Sequence, residues 1–261
     1  MPKDFHPDFG LTAEDYTRHR AGFSPEVVRR LVSLGTEVRE RDVVDLGTGT
    51  GSLARLFARA GARVTGLDPA APLLDQAREL DREAGVEITY RVATAEETGL
   101  PSASFDIVSA GQCWHWFDAP KATVEVRRLL RPGGHVVIAH FDWLPLPGNV
   151  VAATEQLINT YNPAWTMGGG TGLYPRWLTD LATEGFSSIE TFSFDAGVPY
   201  TPQAWIGRIR ASAGVGASLA QEKVDKFSAE LAGVLRDRFP GDVLHIPHRT
   251  WAVVAAKPSA G

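Results

Sequence analysis

The chain has 261 residues, 44% hydrophobic and 22% charged, fractions that exclude disordered and fibrous architectures and fit one large α/β domain or a core with an inserted cap. Its 26 basic and 31 acidic residues give a formal charge of -5, which argues against holding nucleic acid by neutralising many phosphates. A single cysteine, Cys113, excludes an internal disulfide and a cysteine-based zinc site, as suits a reducing cytosol. The histidines at 6, 19, 115, 135, 140, 245 and 248 repeat no helical metal-ligand spacing. No apolar run approaches the ~20 residues needed to cross a bilayer, and the first residues lack the apolar stretch of a signal peptide. The expectation is a cytoplasmic protein with no metal, no nucleic-acid partner and no membrane partner. Composition leaves the oligomeric state open.

Residues 1–23 are polar and mixed, with Tyr16, Arg18, His19 and Arg20 close together. Ser24-Pro25 predicts a helix start, Val27, Val28, Leu31 and Val32 its apolar face, and Gly35 its end. A short strand, Val43 to Leu46, breaks into Gly47-Thr48-Gly49-Thr50-Gly51, and Leu53, Ala54, Leu56 and Phe57 follow at helical spacing. Arg63 to Asp68 reads as a strand ending in an acid before Pro69, and Leu73, Leu74, Ala77 and Leu80 mark another helix. Ile88, Tyr90 and Val92 predict a third strand and Phe105 to Ala110 a fourth. Asp118 can cap a helix carrying Val126 and Leu129; Arg131-Pro132-Gly133-Gly134 stops it and turns into a fifth strand, His135 to Phe141. This alternation implies βαβ units and a doubly wound, mainly parallel sheet with helices on both faces.

From Asp142 the texture changes. Prolines 145, 147, 163 and 175 and the Gly168-Gly169-Gly170 run interrupt a segment holding Trp143, Trp165 and Trp177. Strands near 186–194 and 249–257 bracket two helical stretches, the second at about 219–238. All seven tryptophans lie past residue 113, which fits a glycine-rich cofactor half joined to an aromatic, substrate-facing half. The expected division is residues 1–142 as N-terminal lid helices and cofactor-binding core, 143–185 as a partly helical cap or lid insertion, and 186–261 completing the same sheet.

A strand running into Gly-x-Gly-x-Gly and then a helix brings bare backbone close to a ligand. Asp45 stands two residues before the first glycine. The spacing 47, 49, 51 is not that of the dinucleotide fingerprint, which disfavours a nicotinamide-dependent oxidoreductase of similar fold. Asp68, at the end of the next strand, can accept two hydrogen bonds from ribose hydroxyls.

Val44 to Gly51, with Asp68 and then Arg131-Pro132-Gly133-Gly134, strongly resembles the class I S-adenosylmethionine-dependent methyltransferases. The resemblance covers about residues 10–142 and implies a seven-stranded Rossmann-like sheet. It implies that Gly47, Thr48, Gly49 and Gly51 lie against the methionine part of S-adenosylmethionine and that Asp68 holds the ribose, with Pro69 beside it. Asp45 would shape the loop near the cofactor amino group. Tyr16 and Arg20 resemble a segment that folds over the cofactor, Arg20 meeting its carboxylate. The family's adenine-binding aspartate falls on Thr94, a departure that leaves recognition to the threonine oxygen or to backbone at Ala95 and Glu96. Ala110, Gly111 and Gln112 should lie beside the reactive sulfonium.

Cys113-Trp114-His115-Trp116-Phe117-Asp118 resembles the His-Trp-Phe-Asp variant of small-molecule methyltransferases of the trans-aconitate type. His115 is the candidate catalytic residue, removing an acceptor proton or, when protonated, binding an acceptor carboxylate. Trp114, Trp116, His140, Asp142, Tyr174 and Trp177 are the candidates for lining the substrate, the last two as part of a lid. The implied reaction is methyl transfer to a small-molecule acceptor, hydroxyl or carboxyl oxygen favoured and nitrogen or carbon possible. A non-catalytic S-adenosylmethionine-binding protein is the other reading.

Overall fold

The computed structural model describes residues 22–259; Tyr16 and Arg20 lie outside the described residues. Helix α1 (Glu26–Ser33) precedes β1 (Asp42–Leu46), α2 (Ser52–Arg59), β2 (Arg63–Asp68), α3 (Ala71–Ala84), β3 (Ile88–Val92) and β4 (Phe105–Gly111). A 3-10 turn (Trp114–Trp116) leads to α4 (Ala119–Leu129), β5 (Leu130–Trp143), α5 (Val150–Tyr161) and α6 (Arg176–Thr183). Strand β6 (Ser187–Tyr200), α7 (Pro202–Arg210), α8 (Gln221–Arg238) and β7 (Leu244–Ala256) complete the chain. The seven strands form one sheet in the order β3-β2-β1-β4-β5-β7-β6. Strand β1 pairs in parallel with β2 and β4, β2 with β3, and β4 with β5. Chain order reverses between β1 and β4, so the crevice beyond the C-terminal ends of those strands is where such sheets bind ligands.

Two compact units share these elements. One holds residues 22–141, 174–194 and 250–259; the other holds, of the described residues, 142–173 and 195–249. In the first, strand residues alternate between two buried faces. Val44, Val108, Val136 and Val253 pack with Val126 and Leu129 of α4 and Leu181 of α6. Their neighbours Val43, Ile107, Val137 and Ala252 pack instead with Leu31 of α1 and Phe57 of α2. Both faces are therefore apolar, as a doubly wound sheet requires. In the second unit α5, α7 and α8 enclose a separate core of Ile158, Trp165, Trp205, Ile209, Phe227 and Leu231, with Ile246 of β7.

Capping follows the sequence. The Asp118 carboxylate accepts from the Lys121 amide at the start of α4, and the Asn149 side chain accepts from Ala152 at the start of α5. Strand β5 begins at Leu130, earlier than the sequence predicts, because Gly133 donates to the Lys257 carbonyl and Lys257 donates back to Gly134. Arg131 bridges Asp42 and Asp106, each at 2.9 Å, and so ties the N-terminal ends of β1 and β4.

One ion pair in the first unit is buried. Arg55 on α2 meets Asp81 on α3, with only 12% and 6% of the side chains exposed, and a second guanidinium nitrogen donates to the Thr50 carbonyl at 2.6 Å. Removing one partner of a buried pair leaves a desolvated charge, so Asp81→Ala is expected to cost about 3–5 kcal/mol. Urea unfolding of the variant checks this, and a loss under about 1 kcal/mol would show that water solvates Arg55 freely.

Candidate functional site

The loop between β1 and α2 is built from left-handed backbone: φ is 60° at Gly47, 55° at Gly49 and 78° at Gly51. Each is a conformation that side chains other than glycine resist. A Cβ on Gly47 would stand 2.9 Å from the Cys113 sulfur, and one on Gly51 would stand 2.5 Å from the Tyr90 hydroxyl. Gly49 differs, since a Cβ there would meet nothing within 4 Å. The loop is clamped at both ends and open at its middle.

Asp45, only 1% exposed, fixes this shape. Its carboxylate accepts from the Ser109 hydroxyl at 2.6 Å and from the Thr48 hydroxyl at 2.7 Å. Ser109 is its register partner on β4. Burial raises the Asp45 carboxyl from its ordinary 3.8 to about 6, against the lowering effect of the two hydroxyls. Asp68, 7% exposed at the end of β2, accepts from the Gly49 amide and from the Ala70 amide, each at 2.9 Å. Burial also pushes its carboxyl up, opposed by those two amides. A carboxylate offers about four lone-pair sites, so two amides leave capacity for further donors.

The adjoining strand ends are equally constrained. Ala110 is buried, and a Cβ on Gly111 would crowd Leu53 and Phe23. Gln112 has φ of 65°; its amide donates to Ala139 at 2.9 Å while its side-chain amide donates to the Phe141 carbonyl. A non-glycine residue in this region is strained and persists where surrounding contacts impose it. Cys113 donates to the Leu46 carbonyl at 3.1 Å, a packing role.

The aromatic motif continues from there. Trp114 turns into the core, 1% exposed, its indole donating to Asp180 at 3.2 Å. His115 and Trp116 are half-buried, with ring centroids 4.7 Å apart. His115 Nδ1 lies 3.3 Å from Nε2 of buried His140, one ring donating to the other. His140 lies 4.4 Å from the Tyr174 ring, which stacks on buried Trp177 at 4.3 Å and 8°. The structure thus gathers His115, Trp116, His140, Tyr174 and Trp177 into one cluster, whereas Asp142 belongs to the other unit. Thr94 and Pro69 are exposed, Ala95 is buried in the core, and the Glu96 carboxylate accepts from the Asp118 amide at 2.9 Å.

Sequence reasoning missed Ser109, Arg55 and Tyr90. The signal for Tyr90 was its register partner Gly66, where a Cβ would stand 2.6 Å from the phenol ring. A glycine inside a strand often marks such close approach.

The family described as "Methyltransferase domain" matches residues 44–138. An uncharacterized methyltransferase of Mycobacterium tuberculosis, Rv3342, is 36% identical over 134 residues, 51% of this chain and 52% of that protein. The chain thus spans about half the length of that relative. A ubiquinone biosynthesis O-methyltransferase of Xanthomonas axonopodis is 30% identical over 183 residues, 69% of this chain and 74% of that protein. Among solved structures, phosphoethanolamine N-methyltransferase 2 of Haemonchus contortus, in complex with S-adenosyl-L-methionine, shares the fold: TM-score 0.54 and 20% identity, over 98% of this chain and 59% of that one. Among the described residues no helix is long and apolar enough to cross a membrane.

Because burial raises Asp45 above its unfolded value, the folded state binds that proton more readily than the unfolded state does. Its contribution to stability is full below the unfolded value of 3.8 and is lost as pH rises through about 6. The stability of the wild type relative to Asp45→Asn should therefore decline over that window and level off above it. Denaturant midpoints against pH test this, and the opposite slope would refute the buried, weakly charged carboxyl.

Proposed function

We propose, from the premise that this chain belongs to the methyltransferase family and carries its class I fold, that it transfers a methyl group from S-adenosylmethionine to a small-molecule acceptor. Hydroxyl or carboxyl oxygen is the favoured acceptor atom. One observation carries the reading: Asp68, buried at the end of β2, faces the Gly49 amide across 2.9 Å, beside the stretch of loop where a Cβ would meet open space. Bare backbone next to an acceptor-rich carboxylate suits an amino-acid tail joined to a ribose.

Bound there, S-adenosylmethionine supplies a methyl on a cationic sulfur with a neutral thioether as leaving group. The chain's residues do the rest. Gly47, Thr48, Gly49 and Gly51 present backbone to the methionine part, and Asp45 holds that backbone in shape. Asp68 accepts from the ribose hydroxyls, with Pro69 alongside. Thr94, Ala95 and Glu96 border the adenine, where Glu96 is already engaged with Asp118. Ala110, Gly111 and Gln112 close the crevice where acceptor and methyl meet.

His115 is the base in this reading. In the tautomer where His115 Nδ1–H donates to His140 Nε2, the bare His115 Nε2 takes the proton of an acceptor hydroxyl. Trp116, His140 and Tyr174 form the acceptor wall, backed by Trp114 and Trp177, and exclude water from the transfer.

Asp68→Ala is expected to weaken S-adenosylmethionine binding by ~1.5–3 kcal/mol, since it removes charge-assisted hydrogen bonds. Calorimetric titration reads this directly, and an unchanged affinity would contradict the placement of the ribose. His115→Ala should lower kcat by about 100-fold or more while leaving cofactor affinity nearly intact. Single-turnover transfer of a labelled methyl group measures the effect; unaltered rates would reduce His115 to a wall residue.

A further inference from the structure

The glycine loop takes part of its shape from one arginine. Arg55, on α2, donates from one guanidinium nitrogen to the Thr50 carbonyl at 2.6 Å. The other terminal nitrogen donates to the Asp81 carboxylate and, at 3.4 Å, to the Ala77 carbonyl, both on α3. The Arg55 amide donates to the Gly51 carbonyl at 2.8 Å, and the Gly51 amide donates to the Thr48 carbonyl at 2.9 Å. Arg55 thus holds two successive carbonyls, that of Thr50 with its side chain and that of Gly51 with its backbone. The neighbouring Gly49 amide is the one that donates to Asp68 at 2.9 Å, so the same turn aims the group that meets the acid.

Arg55 does not set its own direction. A free arginine side chain samples many rotamers, and ordering it to hold one carbonyl would be costly. Burial of the Arg55–Asp81 pair places that ordering in α3, because the carboxylate fixes where the guanidinium lies. Tyr90, on β3, closes the remaining space: its hydroxyl would stand 2.5 Å from a Cβ on Gly51, and its ring 2.6 Å from one on Gly66. Burial, and then the Asp81 carboxylate, push the phenol well above its ordinary range, so it stays a protonated neighbour of the pair. A buried ion pair is often no more stabilising than an apolar pair of similar volume, so fold stability does not account for this one. A planar fork that reaches a carboxylate and a carbonyl at once does what an apolar pair cannot.

We propose that Arg55 and Asp81 are positioning residues for the cofactor. Asp81 aims the guanidinium, and Arg55 holds the Thr50–Gly51 turn in the conformation that S-adenosylmethionine meets. Both act through the loop backbone. The loop is then ordered before the ligand arrives, and its ordering is not subtracted from the binding free energy. The inference rests on the reading of this loop as the seat of S-adenosylmethionine; it adds that α3, outside the loop, sets how tightly that ligand is held.

The test is calorimetric titration of the full chain with S-adenosylmethionine and S-adenosylhomocysteine, beside the melting temperature and the NMR resonance of the Gly49 amide. Combining Arg55→Met with Asp81→Leu removes both charges together and strands no buried ion, so a melting temperature close to that of the wild type is expected. Affinity for both ligands should nevertheless fall about tenfold, and the Gly49 resonance should move. Arg55→Lys is the second variant and decides the matter if the double variant fails to fold. Its ammonium keeps the pair with Asp81 but lacks the fork that also reaches the Thr50 carbonyl, so a loss of about fivefold is expected. Wild-type affinity in either folded variant would overturn the proposal and leave the cofactor reading intact. Lost affinity with the Gly49 resonance unmoved would also overturn it, since the loop would not have shifted. No binding of either ligand by the wild type would overturn the cofactor reading and this proposal together.

Discussion

The structure turns on a carboxylate buried where water cannot help it. Asp45 sits at the end of a central strand, and isolated burial of its charge would be costly. The Ser109 and Thr48 hydroxyls offset that cost, and in doing so they fix two things at once. Ser109 locks the end of β1 to β4, and Thr48 sets the first bend of the glycine loop. Left-handed backbone at three glycines then returns the chain to α2 within five residues.

Around that bend, packing leaves no slack. Cys113 and Phe117 press on Gly47 from one side, while Tyr90 fills the space under Gly51 and Gly66 from the other. Arg55, anchored by Asp81, holds the Thr50 carbonyl. The same Cys113 that presses on the loop immediately precedes the turn carrying Trp114, His115 and Trp116. Loop shape and the placement of the histidine pair are therefore coupled through one small side chain, and a shift at Gly47 would be felt at His115.

Much of this was legible in the sequence, for a physical reason. Strands buried on both faces read as continuous apolar runs, and Val43-Val44 and Ile107-Val108 send one residue to each face. The glycine spacing and Asp68 marked the loop and its acidic neighbour without any packing information. What stayed hidden depends on partners distant in the chain. Gly66 means little until Tyr90 is known to lie opposite it. Arg131, which reads as part of a helix stop, clasps Asp42 and Asp106 from the far side of the turn. Strand β6 passes from one unit to the other at its middle, a division that no change of composition marks.

The two ends of β1 show how position alone divides stability from chemistry. Asp42 opens the strand and Asp45 nearly closes it. At the opening, Arg63 and then Arg131 hold the Asp42 carboxyl below its ordinary range, so it is a committed anion in a lattice of ion pairs. At the closing end Arg55 meets only backbone and Asp81, no arginine pairs with Asp45 or Asp68 among the described residues, and burial raises both carboxyls. Charges already neutralised by the protein have little left to offer a ligand. Carboxylates held by hydroxyls and amides alone retain acceptor capacity, and a ligand that brings donors or positive charge relieves their desolvation. The sheet thus spends its arginines on the edge that only needs to be stable, leaving the opposite edge poised to gain from what binds there.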